Sequence, residues 1–69
     1  MSASKKGLYV ATVNNRVVIY SRHYIDFYRQ LKELEPECKG RDYYKNKFGK
    51  CKYFNQWIEG TQYHFEKLL

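Results

Sequence analysis

The sequence predicts a small α+β domain in which a short antiparallel sheet, an N-terminal hairpin plus one or two further strands, packs against two helices. Three observations predict it: a length of 69 residues, two β-branched and aromatic runs around an Asn-Asn pair, and an apolar stripe at helical spacing after them. A chain this short excludes a multidomain enzyme or a doubly wound nucleotide-binding fold. An apolar fraction of 43%, with eight Tyr, four Phe and one Trp, is enough for a packed core.

We expect residues 7–69 to form this domain and residues 1–6 to be a disordered arm. The first six residues carry two positive charges but no apolar stretch behind them, which argues against a secretory signal. The chain contains no apolar run of about 18 residues, so no membrane-spanning helix is expected. Together with the low cysteine count, these features predict a cytoplasmic protein.

The N-terminal segment predicts a hairpin with strands at 8–13 and 16–21. The Asn14-Asn15 pair between them tolerates positive φ and therefore favours a tight primed turn. This turn predicts that Tyr9 lies opposite Tyr20, and alternation predicts one aliphatic face and one amphipathic face. The aliphatic face, expected in the core, consists of Leu8, Val10, Val17 and Ile19. The amphipathic face consists of Tyr9, Ala11, Arg16, Val18 and Tyr20.

The following segment predicts a helix over about 22–35. Its apolar residues recur at helical spacing, and Ser21 is the expected N-cap. Pro36 ends the helix, because proline disfavours helical geometry in the residue before it. The apolar stripe consists of Tyr24, Phe27, Tyr28, Leu31 and Leu34.

The segment 43–54 has two interpretations. Alternating side chains around Gly49-Lys50 favour a second hairpin with glycine first in its turn. In the competing interpretation, residues 41–48 form one or two helical turns that Gly49 ends, and a single strand follows.

The C-terminal segment is also open to two interpretations. Asn55 can cap a last helix that runs to Leu69, although Gly60 inside it would cost about 1 kcal/mol relative to Ala. Glu59-Gly60-Thr61 could instead turn a further hairpin. The residues expected in the core here are Trp57, Ile58 and Phe65.

Charge is concentrated in the segment 39–52. Its six bases and one acid, Asp42, account for +5 of the formal net charge of +6. A local positive field attracts polyanions, and Lys and Arg supply the sequence-independent part of nucleic-acid affinity. Aromatic rings between the bases could stack on unpaired nucleobases. The predicted DNA- or RNA-binding residues are Lys39, Arg41, Tyr43, Lys45, Lys47, Lys50, Lys52 and Phe54, with Arg16 and Tyr20 as further candidates.

Three other interpretations stay open. The lysines could protect a solvated edge strand against aggregation. The same surface could bind an acidic host protein, as expected of a phage or mobile-element modulator that inhibits its target. A homodimer could form through a sheet edge or through the face that carries Tyr9 and Tyr20. The sequence does not distinguish DNA from RNA, or single from double strands.

The sequence predicts no enzyme, cofactor or metal site. Cys38 and Cys51, even together with His23 and His64, lack the close-spaced pairs of a structural zinc site. No phosphate-binding glycine loop or nucleophile motif is present, and no carboxylate is placed by its spacing beside a His or Cys. We expect Cys51 to be half-buried and Cys38 to be a free loop thiol.

The first hairpin, with LYVA at 8–11 and VIYS at 18–21 before a helix, resembles the small hybrid-binding domain found ahead of some ribonuclease H enzymes. That domain binds RNA–DNA duplexes. The chain departs from the family's glycine-basic-glycine turn, having Asn14-Asn15-Arg16 instead, and the segment 39–52 has no counterpart. The resemblance implies a similar architecture, which does not carry function, and no functional residue is transferred.

Overall fold

The computed structural model describes residues 7–68 and shows a four-stranded antiparallel sheet with two helices. This confirms the predicted α+β class. The predicted arm at 1–6 lies outside the described residues. In chain order the elements are β1 (Leu8–Val13), β2 (Arg16–Ser21), α1 (Tyr24–Leu34), α2 (Arg41–Lys50), β3 (Tyr53–Ile58) and β4 (Thr61–Leu68). The strands lie in the order β2-β1-β4-β3, so β2 and β3 are the edge strands.

The N-terminal hairpin has the predicted turn. Asn14 and Asn15 have φ of 53° and 65°, in the left-handed region that asparagine tolerates better than most residues. The pair next to the turn, Val13 and Arg16, is the predicted one. The local turn chemistry was therefore sufficient to predict where this hairpin reverses.

The predicted register is wrong farther from the turn, because a β-bulge shifts it by one residue. Ala11 pairs with Ile19, and Tyr20 pairs with Val10. Tyr9 and Tyr20 consequently lie on opposite faces of the sheet, so the predicted Tyr9–Tyr20 pair does not form.

β1 turns the face opposite to the predicted one toward the helices. Tyr9 packs there with ring-centroid distances of 5.1 Å to Phe48 and 5.9 Å to Phe27. Ala11, on the same face, is fully buried, whereas Val17 is 60% exposed. Aromatic rings bury more surface than aliphatic chains, and the small Ala11 leaves room for them. Of the predicted aliphatic core face, only Ile19 belongs to the core.

α1 lies within the predicted range. Phe27 and Leu31, one turn apart, are fully buried, but Leu34 at the end of the stripe is 48% exposed. The N-cap is His23 rather than the predicted Ser21. Ser21 instead ends β2, and its hydroxyl accepts a hydrogen bond from the His23 N–H at 3.1 Å.

The predicted hairpin at Gly49-Lys50 is wrong, and the competing helical interpretation is confirmed by α2. Tyr44 and Phe48, four residues apart, are both buried on its inner side. Gly49 does not end the helix, which continues to Lys50. Among residues 7–68, neither helix is long and apolar enough to cross a membrane.

The predicted C-terminal helix is also wrong, and the alternative interpretation, a hairpin that turns at Glu59-Gly60-Thr61, is confirmed. Glu59 and Gly60 have φ of 47° and 82°, so they form a two-residue turn in which glycine adopts positive φ without strain. Tyr63 and Phe65 alternate with polar residues on β4 and are buried. A helix would have placed these two rings 200° apart, whereas a strand points both into the core.

The core consists mainly of aromatic rings and lies between the helices and one face of the sheet, here called the inner face. Phe65 on β4 lies 6.1 Å from Phe27 of α1 and 5.4 Å from Tyr44 of α2, measured between ring centroids. Its distance from Phe54 on β3 is 5.2 Å. Both helices therefore cover the inner face, and within residues 7–68 no helix lies on the opposite, outer face.

Polar tips of the core tyrosines are hydrogen-bonded. The Tyr44 hydroxyl donates to Gln56 Oε1 at 2.6 Å and accepts from the Lys39 N–H at 3.1 Å. Burial raises the pKa of Tyr44 to about 12. The Tyr63 hydroxyl donates to a carboxylate oxygen of Glu35 at 2.7 Å, which ties β4 to the end of α1.

We expect Phe65→Ala to lower the free energy of unfolding by about 3–5 kcal/mol, because it leaves a cavity among four buried rings. The matched control on the same hairpin is Trp57→Ala, whose ring is 66% exposed and whose loss should cost less than about 1 kcal/mol. Urea denaturation followed by circular dichroism measures both. Equal losses for the two variants would contradict the described placement of the rings.

Candidate nucleic-acid interface

The predicted cations lie on α2 and the residues that flank it. Tyr44 and Phe48 hold the helix against the core, with 0% and 7% of their surfaces exposed, so its other positions face solvent or lie at the margin of the core. We call the cations on α2 and directly beside it the α2 basic surface, a name that covers both sides of the helix. It consists of Lys39, Arg41, Lys45, Lys47, Lys50 and Lys52.

Two tyrosines of α1 hold the backbone of the first residues of this surface in place through hydrogen bonds. The Tyr28 hydroxyl donates to the Lys39 carbonyl at 3.1 Å, and the Tyr24 hydroxyl donates to the Arg41 carbonyl. Burial raises the pKa of Tyr24 to about 12, so it stays a neutral donor at physiological pH. The backbone that carries the first two cations is thereby held against α1.

Helical spacing divides the cations of α2 into two rows. Arg41 and Lys45 are four residues apart on one side of the helix, while Lys47 and Lys50 are three apart toward the other. The Lys47 ammonium nitrogen lies 5.7 Å from the ring centroid of Phe54 on the edge strand β3. The second row therefore lies beside the β3 edge, and Lys52 directly precedes that strand.

Tyr43 is the ring of the basic segment that remains partly accessible. It is half-buried, and the ammonium groups of Lys39 and Lys47 lie 5.7 Å and 5.9 Å from its centroid. Cation–π contacts of this kind contribute about 0.5–1 kcal/mol at exposed sites. The protein's own lysines therefore occupy part of the surface on which a nucleobase was predicted to stack.

Phe54 is not available for stacking. Its side chain is 9% exposed and packs 5.2 Å from both Phe48 and Phe65, measured between centroids. Its side chain points to the inner face, as do those of Gln56 and Ile58, because alternate residues of a strand share one face. The structure thus corrects the prediction that Phe54 presents a ring to a ligand.

Arg16 and Tyr20 are separated from the α2 basic surface. Both belong to β2, at the sheet edge opposite β3. Tyr20 is 60% exposed and lies on the outer face, opposite Val10. The structure therefore does not bring these two residues together with the cations of α2.

Within residues 7–68, no carboxylate forms an ion pair with the cations of α2, although Asp42 lies in the first turn of the same helix. In that range, carboxylates lie within 4.0 Å of a basic side chain at two places, Arg29–Asp26 and His64–Glu66. Neither involves the α2 basic surface. Lys47 and Lys50 lie in the last turn, where cations also stabilise the helix through its dipole, but Arg41 and Lys45 gain no such stabilisation.

The outer face carries two large rings that sequence reasoning assigned no binding role. Tyr53 and Trp57 on β3 are 62% and 66% exposed, although Trp57 was predicted in the core. Alternation along 53–58 places Tyr53 and Trp57 together on one face of the strand, but the sequence does not show which face is buried. Burial of Phe54 and Ile58 on one parity requires the other parity to face away from the helices.

A polar network lies beside these rings. His64 on β4 is paired with Asn55, and its Nδ1 lies 2.8 Å from Asn55 Oδ1 while its Nε2 lies 3.3 Å from Glu66 Oε1. The imidazole packs 5.8 Å from the Tyr53 ring, tilted by 31°. An open groove of about 700 Å³ continues from here toward the two turns, with Trp57 in its lining.

Cys38 is the predicted free thiol in a loop, whereas Cys51 is more exposed than predicted. Both are free thiols, but Cys38 is buried and Cys51 is exposed. Burial raises the pKa of Cys38. Within residues 7–68, no three His, Cys, Asp or Glu side chains lie close enough together to hold a metal ion.

We expect one fast-reacting thiol in the native protein, that of Cys51. Cys38 should react slowly, because the thiolate is the reactive form and burial both disfavours and shields it. Titration with Ellman's reagent measures the two rates, and Cys51→Ser should remove the fast phase. Denaturation in urea should make both thiols react quickly. A fast native reaction that persists in the Cys51→Ser variant would contradict the burial of Cys38.

Comparisons with known proteins returned no match to a protein family, a curated protein or a solved structure. The function of this chain therefore has to be inferred from the charge, exposure and geometry of its own side chains.

Proposed function

We propose that this chain is a non-enzymatic nucleic-acid-binding domain that contacts the phosphate backbone through the α2 basic surface. The observation that supports the proposal is the absence, among residues 7–68, of any carboxylate within 4.0 Å of these six cations. Cations that are not paired within the protein are available to phosphates. When these cations bind phosphates, they release the counterions condensed on the nucleic acid, and this release drives association.

The two rows on α2 would meet several phosphates at once. Arg41 and Lys45 lie on one side of the helix, and Lys47 and Lys50 lie toward the other, where Lys47 approaches the Phe54 ring of β3. Contacts to phosphates position a protein on nucleic acid but carry no sequence information. The cations of α2 therefore contribute affinity for nucleic acid but no sequence specificity. It places the protein in the cytoplasm, where free thiols such as those of this chain persist.

The test is a charge-reversal variant with a control of the same net charge. Lys45→Glu combined with Lys50→Glu changes one exposed residue in each row. We expect it to lower the affinity for nucleic acid at least tenfold. The slope of log K against log salt should become shallower by about two, one for each lost phosphate contact. Fluorescence anisotropy of labelled DNA and RNA across a salt series measures both quantities.

The control is Arg22→Glu combined with Lys32→Glu, at exposed positions outside the α2 basic surface. It alters the net charge equally, so an equal loss of affinity would show attraction by overall charge and would contradict a defined surface. A wild-type affinity that does not depend on salt would contradict phosphate binding itself.

The same cations could bind an acidic protein, and a nuclease treatment separates the two cases. A partner that is recovered on immobilised protein from untreated lysate and lost after nuclease treatment reaches the surface through nucleic acid. A single stoichiometric partner that survives the treatment, and that the charge-reversal variant loses, would favour a modulator of a host protein over the proposed function.

A further inference from the structure

The outer face of the β3–β4 hairpin presents a regular array of rings and hydrogen-bonding groups. Tyr53, Asn55 and Trp57 follow one another on β3, separated by about 6.6–6.8 Å because same-face residues are two apart. Each is paired with a polar residue on β4. The three partners, in the same order, are Glu66, His64 and Gln62.

The rings of Tyr53 and Trp57 are too exposed to belong to the core or to a surface that another element covers. Tyr53 and Trp57 show about two-thirds of their surface to solvent, and no described element covers this face. Large rings are usually buried because they gain most from leaving water. Two exposed rings on one strand, flanked by polar groups, are typical of a surface that binds a flat partner.

We propose that this outer face binds single-stranded nucleic acid, with one unpaired base stacked on Trp57 and another on Tyr53. The inference rests on the proposed function and specifies its ligand. Base stacking on a sheet requires bases that are not paired with a second strand, because a duplex buries their faces. Stacking on aromatic side chains tolerates every base, since each has a π-face.

The position of β3 connects this platform with the cations. β3 is an edge strand, with Tyr53 and Trp57 on its outer face and the buried Phe54 ring, which the Lys47 ammonium approaches at 5.7 Å, on its inner face. Lys52 immediately precedes Tyr53 in the chain. A nucleic-acid strand whose bases stack on the outer rings would pass its phosphates around the free edge of β3 to reach Lys47 and Lys52.

The positive charge near β3 favours a polyanion over a neutral ligand as the molecule that binds this outer face. A neutral sugar could also stack on an exposed tryptophan and bind to amides such as Asn55 and Gln62. The cations beside the same strand would contribute nothing to a neutral ligand, whereas a phosphate backbone contacts them. The arrangement therefore favours a nucleic acid over an oligosaccharide.

Trp57 is the sole tryptophan of the chain, so its fluorescence reports directly on the platform. We expect oligo(dT) and poly(U) oligomers of about 10–15 nucleotides, lengths within the site sizes of single-strand binders, to quench it in proportion to binding. A duplex of equal length should bind more weakly and quench little. An abasic oligomer of the same length should bind through its phosphates but leave the fluorescence unchanged.

We expect Trp57→Ala to weaken single-strand binding at least about fivefold without changing the salt slope, because one stacked base is worth about 1–3 kcal/mol. Anisotropy of a labelled oligomer measures this. Trp57→Phe should retain most of the affinity. Ile25→Ala is the matched control, since Ile25 is a large apolar side chain of comparable exposure that lies on α1 and not on the sheet. Circular dichroism confirms that each variant is folded.

The outcomes separate this inference from the proposed function. Salt-dependent binding that neither quenches Trp57 nor weakens in Trp57→Ala would overturn the platform and leave the function of α2 intact. Equal affinity for duplex and single strand, or quenching by neutral oligosaccharides and not by oligonucleotides, would also overturn it. If the wild-type protein bound no nucleic acid even at low salt, both the proposed function and the platform would be rejected.

Discussion

The burial of aromatic rings between the two helices and the inner face of the sheet is the interaction on which the rest of this structure depends. Phe65 lies at its centre, within 5.2–6.1 Å of rings contributed by α1, α2 and β3. Phe27, Tyr44 and Phe65 are completely buried. A domain of this size buries only about 60% of the surface exposed by its unfolded chain. A few large side chains must therefore supply much of the hydrophobic stabilisation.

This core also decides which groups remain outside it. Tyr44 and Phe48 set the rotation of α2 about its axis, and the cations occupy the positions left over. Phe54 likewise sets which face of β3 is buried, and its burial places Tyr53 and Trp57 on the outer face. Lys47 of the α2 basic surface consequently lies 5.7 Å from the Phe54 ring, on the strand whose outer face carries Tyr53 and Trp57.

The candidate site was predicted in its charge but not in its rings. The six cations stand out in the sequence because composition is visible without a fold. Phe54 was expected at the surface and is buried, whereas Trp57 was expected in the core and is exposed. Alternation along 53–58 allows either parity to face inward, and hydrophobicity alone favours Trp57 over a polar residue. Gln56 faces inward instead, because its side chain accepts a hydrogen bond from the buried Tyr44 hydroxyl.

The sequence by itself determined the features that depend on near neighbours: the Asn14-Asn15 turn, the helix α1 and the concentration of charge in 39–52. Tertiary structure decided that 41–50 is a helix, that 61–68 is a strand and that a bulge shifts the first hairpin. Local preferences at these places differ by about 1 kcal/mol. Contacts between rings far apart in the chain, such as Tyr44 and Phe65, outweigh such differences, and their partners are known only once the chain has folded.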